Sequence, residues 1–274
     1  MPSDLHMHTS FSDGRLTPEE LIAEAKKAGL HYIALTDHDT VDGISHLYES
    51  GLFPTKGIHI IPGIEFSAHH PLHEVHILGY GIDIFCTSLL DKLNEVTDAR
   101  WLRFSEIVEK LNGLGYAITE ADVLAIAGVS KSISRSHIGR VLVKKGYFDS
   151  VRSAFKELLS KGQPAYVPHY RLEVEEVLSL ILAAEGRAVL AHPKLVYDEE
   201  LVERICQMGI DGIEVFYPQH DEDDTAHYLE LAKKYGLLPA GGSDFHGFST
   251  RYPTEIGVFT IPDEYAVPFY RAEN

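Results

Sequence analysis

Apolar and polar positions change their period several times along the chain, and the changes mark out its elements. Asp4–His8 alternates polar and apolar residues, the pattern of a strand with two unlike faces. From Thr17 to Ala28 the spacing is helical: Thr17 suits the cap, Pro18 the first helical position, Glu20 stands three residues after the cap, and Gly29 ends the run. His31–Thr36 then reads as a strand, Val41–Ser50 as a helix, and His59–Ser67 and Glu74–Asp83 as two further strands. Much later, short strands at Ala188–Ala191, Gly212–Phe216 and Leu238–Gly242 are separated by helices near Asp198–Met208 and Asp223–Tyr235. Alternation of this kind predicts an α/β fold with parallel strands, in a barrel or an open sheet.

The stretch from Thr87 to Gly162 breaks the alternation. It predicts consecutive helices, Leu89–Leu114, Thr119–Ala127, Arg135–Lys145 and Val151–Leu159, punctuated by Gly113, Gly115, Gly128 and Gly146. The expected organisation is a scaffold of residues 1–86 and 163–274 carrying residues 87–162 as a helical insertion. Lys131, Arg135, Arg140, Lys144, Lys145, Arg152, Lys156 and Lys161 crowd into that insertion, although the whole chain holds 24 Lys+Arg against 41 Asp+Glu.

Composition narrows the field further. A chain of 274 residues, 45% hydrophobic, can bury a sizeable core in one large domain or one domain with an insertion. Its formal charge of −17 repels long nucleic acid unless metals or a local basic patch reverse the field. No apolar run is long enough for a membrane span, and the opening Met-Pro-Ser-Asp-Leu-His lacks the order of a signal peptide, so no membrane partner is expected. Cys86 and Cys206 have no paired spacing, which suggests a reducing compartment, the cytoplasm. The oligomeric state is left open. More telling are the 16 histidines, many of them beside Asp, Glu or another His, which turn attention to metals.

His6 and His8, two apart on a strand, point the same way, while Leu5 and Met7 face apolar packing. Alone, the pair is weak evidence of a metal site and reads more readily as a polar couple on a half-exposed strand. The other candidates follow strand-like runs in the same manner. Asp13 lies in the loop after the first strand, Asp37 and His38 follow Ile33-Ala34-Leu35, and Glu65 ends Ile60–Ile64. His76 lies in Glu74–Tyr80, His192 follows Ala188–Ala191, and Asp244 and His246 follow Leu238–Gly242. In a barrel of parallel strands such ends converge on one face, where active sites are built. Their joint placement points to a metal site.

His6-Met7-His8 with Asp13, Thr36-Asp37-His38, Ala191-His192-Pro193 and Ser243-Asp244-Phe245-His246 resemble the motifs of the PHP (polymerase and histidinol phosphatase) superfamily. The resemblance covers the chain outside the insertion and implies a distorted (β/α)7 barrel holding up to three divalent ions. Carried over by residue, one ion would use His6, His8, Glu65 and Asp244. Glu65 would bridge to a second held by His76 and His192, and Asp13, His38 and His246 would hold a third. Imidazole and carboxylate donors without thiolate fit Mn, Fe or Zn; the resemblance favours Mn. The insertion, through Arg135-Ser136-His137-Ile138, resembles the 3',5'-nucleotide bisphosphate phosphatases, some of which also shorten RNA from the 5' end.

The implied activity is hydrolysis of a phosphomonoester by water activated at the metals, with no Ser or Cys nucleophile. Three divalent ions outweigh the carboxylates of Asp13, Glu65 and Asp244, so the loaded site attracts a phosphate dianion. The expected partner is a small phosphorylated nucleotide, with short RNA as an extension. Among the remaining residues, Arg135 and His137 are candidates for a second substrate phosphate, Lys194 for neutralising phosphate, and His220 for general acid. Asp37 is a candidate acceptor for a ligand histidine or a turn-capping aspartate. Phe216 or Tyr217 could stack a base, and His69, His70 and His73 have no assigned role. Histidinol phosphate is the alternative substrate, and a non-catalytic metal-binding module the alternative class.

Overall fold

Each strand-like run forms a strand, and the described residues of a computed structural model (1–70, 73–168, 170, 172–248 and 252–271) place them in one nine-stranded sheet. The strands are β1 (Pro2–Met7), β2 (Tyr32–Leu35), β3 (His59–His69), β4 (Val75–Tyr80), β5 (Leu172–Glu173), β6 (Arg187–Leu190), β7 (Gly212–Phe216), β8 (Leu238–Gly241) and β9 (Ile261–Pro262). Their order is β8-β7-β6-β4-β3-β2-β1-β9, with β5 beside the end of β3.

The pairing corrects the expectation of parallel strands at β4 and at the short β9, which runs antiparallel to β1. β1, β2 and β3 run parallel, as do β6, β7 and β8, but β4 is antiparallel to both β3 and β6. Residues 70–74 are too few for a crossover, which needs a dozen or more, so β4 must turn straight back. The beginning of β4 therefore lies at the same end of the barrel as the C-terminal ends of its parallel neighbours.

The barrel closes through the segment after β8. Met7 and Phe245 form a parallel bridge, and the His8 amide donates to the Phe245 carbonyl at 2.9 Å. The Ser243 amide donates to Asp4 Oδ1 at 2.8 Å. A Cβ on Gly242 would fall 2.4 Å from the His6 nitrogen, so only glycine permits this seam. Leu5, Ala34, Ile61, Leu78, Val189 and Ala240, one each from β1, β2, β3, β4, β6 and β8, cluster together; such a set can only fill the barrel interior.

Helices α1 (Pro18–Lys27) and α2 (Asp42–Glu49) pack outside through Leu21, Ile22, Ile44 and Leu47. The α1 start is as expected: Thr17 Oγ1 accepts from the Glu20 amide at 3.3 Å, and Glu20 accepts from the Thr17 amide at 2.9 Å. The long α3 (Thr87–Gly113) joins two cores: Leu89, Leu93 and Val96 belong to the barrel, whereas Phe104, Ile107 and Leu111 belong to a second cluster. That cluster is completed by α4 (Glu120–Ala127), α5 (Arg135–Lys144) and α6 (Val151–Ala154). The single helix expected at Val151–Leu159 is split, because Phe155–Leu159 winds as a π-turn. The outer layer is finished by α7 (Val174–Ala183), which the pattern did not single out, α8 (Glu199–Cys206) and α9 (Glu222–Tyr235). Among the described residues no helix is long and apolar enough to cross a membrane.

Candidate metal centre

The histidines and carboxylates singled out by their place after strands meet at one end of the barrel. His6 lies in β1 and His8 just beyond it; Asp13 follows in the loop; His38 follows β2. His192 follows β6, and Asp244 and His246 follow β8. Two placements differ from expectation. Glu65 sits within β3, which runs on to His69, and His76 is near the start of β4. Because β4 is reversed, that start still faces the cluster.

Glu65 is the hub. Its Oε1 is 2.8 Å from His76 Nδ1 and 3.0 Å from His192 Nε2. Its Oε2 is 2.9 Å from His38 Nδ1, 3.3 Å from His8 Nε2 and 3.4 Å from His6 Nε2. One carboxylate thus faces two sets of imidazoles, the geometry a bridging ligand needs. Asp244 Oδ1 lies 3.3 Å from His8 Nε2, 3.7 Å from His6 Nε2 and 3.4 Å from His246 Nδ1. Asp13 Oδ1 lies 3.1 Å from His246 Nε2 and 3.9 Å from His38 Nε2. The compact ligand groups are His8/Asp13/His38/His246, His6/His8/Asp244 and His38/Glu65/His76. They share His8 and His38 between neighbours, where the family resemblance assigns each to one ion.

The donor set fits divalent cations. His6 Nε2, both His8 ring nitrogens, His38 Nδ1, Asp13 Oδ1 and Glu65 Oε2 are buried without a hydrogen bond of acceptable geometry. Burying such atoms unsatisfied is costly, and a cation among them removes the cost. The electrostatics agree. Burial opposes charge on His6, but the carboxylates of Glu214, Glu65 and Asp244 outweigh it and hold its pKa well above the ordinary value. His38 is likewise pushed up to about 9 by Glu65 and Asp13 against burial. Burial would raise Asp13 and Glu65, yet the surrounding histidines hold both well below the carboxylate range. The cluster favours positive charge.

A second ring of residues holds the candidate ligands still, and sequence reasoning missed most of it. Glu214, fully buried in β7, accepts from His6 Nδ1 at 3.0 Å and from the His192 amide at 2.7 Å. Its one available signal was a carboxylate within the apolar run Gly212–Phe216. Tyr217 donates to Asp244 Oδ2 at 2.9 Å. Asp37 binds no ligand histidine: its oxygens accept from the Thr9 amide at 2.7 Å, the Thr9 hydroxyl at 2.6 Å and the Ser12 hydroxyl at 2.5 Å, bracing the loop before Asp13. His192 (φ 26°) and Asp244 (φ 54°) both take left-handed backbone, which costs on the order of 1–3 kcal/mol each and persists where a side chain is needed in one place.

Beside the cluster opens a cavity of about 720 Å³, with Asp13, His38, Glu65, His76, His192, Asp244 and His246 on one wall. The helical segment supplies the other wall, including Arg100, Arg103, Arg135, Arg140, Arg152 and Phe155. Arg100 also ties the walls together: it pairs with buried Asp39 and donates to the Ile133 carbonyl at 3.3 Å, while Ser132 Oγ donates to the His38 carbonyl at 2.7 Å.

Several residues expected to meet substrate are engaged elsewhere. Arg135 lines the cavity but spends its guanidinium on Glu74 at 2.7 Å and the Leu159 carbonyl at 3.2 Å. His137 is buried as the third residue of α5, where Nδ1 accepts the Ser134 amide at 3.0 Å; burial pushes its pKa down to about 4. Lys194 pairs with Asp224 and, at 3.6 Å, with Asp221, and lies outside the cavity wall. His220 is also outside the wall, with Nδ1 2.8 Å from the Val215 carbonyl. Phe216 packs on Tyr265 and Tyr217 is buried, so neither offers an open face. His73 lies 3.2 Å from Asp198 and His69 3.9 Å from Glu173, apart from the metal groups. Arg140, by contrast, rests over the Phe248 ring at 4.7 Å, and its buried Nε has no hydrogen-bond partner.

Imidazoles and carboxylates gathered in this way at one end of an α/β barrel, beneath a wall of arginines, define a metal-dependent hydrolase of phosphate esters. The PHP domain model matches residues 4–175, and the chain belongs to the PHP family. It is 34% identical to a 3',5'-nucleoside bisphosphate phosphatase of Chromobacterium violaceum over 249 residues, 89% of this chain and 86% of that one. It is 34% identical to the 5'-3' exoribonuclease Rnm of Escherichia coli over 250 residues, 89% of this chain and 84% of the relative. A phosphoribosyl 1,2-cyclic phosphate 1,2-diphosphodiesterase of Eggerthella lenta is 29% identical over 265 residues, 96% of this chain and 100% of the relative. In structure the chain resembles a protein of Bifidobacterium adolescentis, provisionally named a metal-dependent phosphoesterase, with a TM-score of 0.87, 29% identity, and coverage of 97% and 94%. The chain is accordingly a metal-dependent phosphoesterase.

Proposed function

We propose that the chain hydrolyses a phosphomonoester of a small nucleotide, foremost a nucleoside 3',5'-bisphosphate, and acts also on short 5'-phosphorylated RNA. The observation that carries this is the two-walled cavity. Its volume, about 720 Å³, is of the size that encloses a nucleotide. One wall is the metal cluster; the other brings Arg140 and Arg152 into a chain of charge −17. A scissile phosphate at the cluster leaves the second phosphate of a bisphosphate facing those arginines. Arg140, with its unsatisfied donor, replaces Arg135 and His137 as the candidate for that contact. An arginine wall suits a dianion and disfavours the cationic amine of histidinol phosphate. The relatives named as bisphosphate phosphatase and exoribonuclease support the same substrate class.

The cofactors of this proposal are up to three divalent ions, Mn first, with Fe or Zn compatible with the same donors. They would be held by His6, His8, Glu65 and Asp244, by Glu65, His76 and His192, and by Asp13, His38 and His246. When bound, such ions make water acidic enough to attack at neutral pH and neutralise charge on the phosphate oxygens. The chain itself fixes the ligands: Glu214 orients His6 and His192, Tyr217 holds Asp244, and the Asp39–Arg100 pair fastens the His38 loop to the helical wall.

The test is turnover of the Mn-reconstituted protein on adenosine 3',5'-bisphosphate, AMP, a 5'-phosphorylated dinucleotide and histidinol phosphate, with a chelated sample beside it. The bisphosphate should be the best substrate, and the chelated protein should be inactive. Preference for histidinol phosphate would overturn the proposal.

A further inference from the structure

We propose that Tyr197 is the surface on which a nucleobase of the substrate stacks, a role that rests on the nucleotide substrate proposed above. Tyr197 lines the cavity with Leu195 and Gln219, on the side of the ligand His192. It is 80% exposed, more than any other large hydrophobic residue among those described. Among the described residues no ring packs on it and no hydrogen bond engages its hydroxyl. Its backbone takes φ 57°, ψ 27°, closing the turn Pro193–Val196 in the left-handed conformation that glycine fills without cost. Neither burial nor turn geometry accounts for an aromatic residue there. A bare ring, carried on strained backbone and lining the cavity, is available to a flat ligand.

The other aromatic candidates are occupied. Phe216 packs on Tyr265, and Tyr217 is buried with its hydroxyl on Asp244. Tyr197 is linked to His192 through the short turn that Pro193 stiffens, so its backbone is held close to the metal cluster. Stacking on an aromatic face accepts any base, so the site should show little base preference. The base belongs either to the nucleotide that carries the scissile phosphate or to the next one in a short RNA; the stacking chemistry is the same.

The test compares Mn-loaded wild type, Tyr197→Ala and Tyr197→Phe on adenosine 3',5'-bisphosphate, a 5'-phosphorylated adenosine dinucleotide and ribose 5-phosphate. Calorimetry follows the binding of AMP. Tyr197→Ala should lower kcat/KM about tenfold on base-bearing substrates, chiefly through KM, and leave ribose 5-phosphate within about twofold. Tyr197→Phe should behave as wild type. A loss on both nucleotides, with AMP binding weakened to match, assigns the platform to the first base. A loss on the dinucleotide alone assigns it to the second. Tyr197→Gly should lose the same selectivity while raising the melting temperature by about 2–4 °C, because it relieves the backbone. Equal loss on all three substrates, no loss, or a Phe variant as poor as Ala would overturn the role of Tyr197 alone. A wild type that cleaves ribose 5-phosphate or histidinol phosphate, but neither cleaves nucleotides nor binds AMP, would instead overturn the nucleotide substrate, and this role with it.

Discussion

The barrel wall of the cavity and the helical wall opposite hold their charged groups in different ways. On the barrel side every metal-ligand candidate is fixed by a strand or the turn after it, and most are buried and face one another within 4 Å. On the helical side the arginines range from buried (Arg100, Arg103) through half-buried (Arg135, Arg140) to exposed (Arg152), and each has its own fate. Arg100 is consumed by Asp39, Arg135 by Glu74, and Arg140 is left with an unsatisfied donor. A strand leaves its side chains little choice of direction, whereas a long side chain on a helix reaches whichever partner tertiary packing supplies. The first wall is therefore suited to fixed chemistry and the second to tuning what binds.

Substitutions can separate the two walls. The largest effect is expected on the barrel side. Asp244→Ala or His6→Ala should lower kcat by roughly a thousandfold at saturating Mn, because several kcal/mol of charge stabilisation disappear at each tenfold per 1.4 kcal/mol. Circular dichroism should be unchanged. Near-full turnover by either variant would remove that residue from the metal set.

Next comes Glu214→Gln, which keeps the shape but removes the charge behind His6 and His192. Metal affinity should fall about 10- to 100-fold. Metal analysis at fixed free Mn checks this, and unchanged occupancy would mean the contacts merely pack the barrel.

The helical wall should respond to substrate, not to metal. Arg140→Ala should lower kcat/KM about ten- to a hundredfold on a nucleoside 3',5'-bisphosphate and little on the monophosphate. Arg135→Ala should cost less on the bisphosphate, since its guanidinium is already occupied. The reverse ranking would restore Arg135 to the substrate.

The smallest effect near neutral pH concerns His137. Its folded pKa, about 4, lies below the unfolded value near 6.5, so the folded state binds fewer protons between those values. Its contribution to stability is complete above pH 6.5 and declines as pH falls toward 4, by on the order of 2–3 kcal/mol. Denaturant unfolding of wild type and His137→Gln at pH 4.5 and 7.5 checks the sign: the variant should lose less on acidification.

Much was legible in the sequence because the relevant patterns are local. The alternation of strands and helices pointed to parallel strands in a barrel or an open sheet, and the placement of His38, His192, Asp244 and His246 after apolar runs pointed to one common face for the candidate ligands. A strand's direction fixes where the next side chain goes, so position in the chain became position in space. Tertiary structure alone decided the rest. The reversal of β4 followed from a short connection meeting a strand already in place, and it carried His76 to the cluster from the opposite end of its strand. Glu214 became a support for His6 and His192 only once β7 lay beside β6 and closure of the barrel brought β1 against the β8 side. Arg135, His137, Lys194 and His220 were plausible from charge, but each found a nearer partner or a buried place as the helices packed. Contacts between residues far apart in the chain depend on the geometry of the whole fold, and no local spacing encodes them.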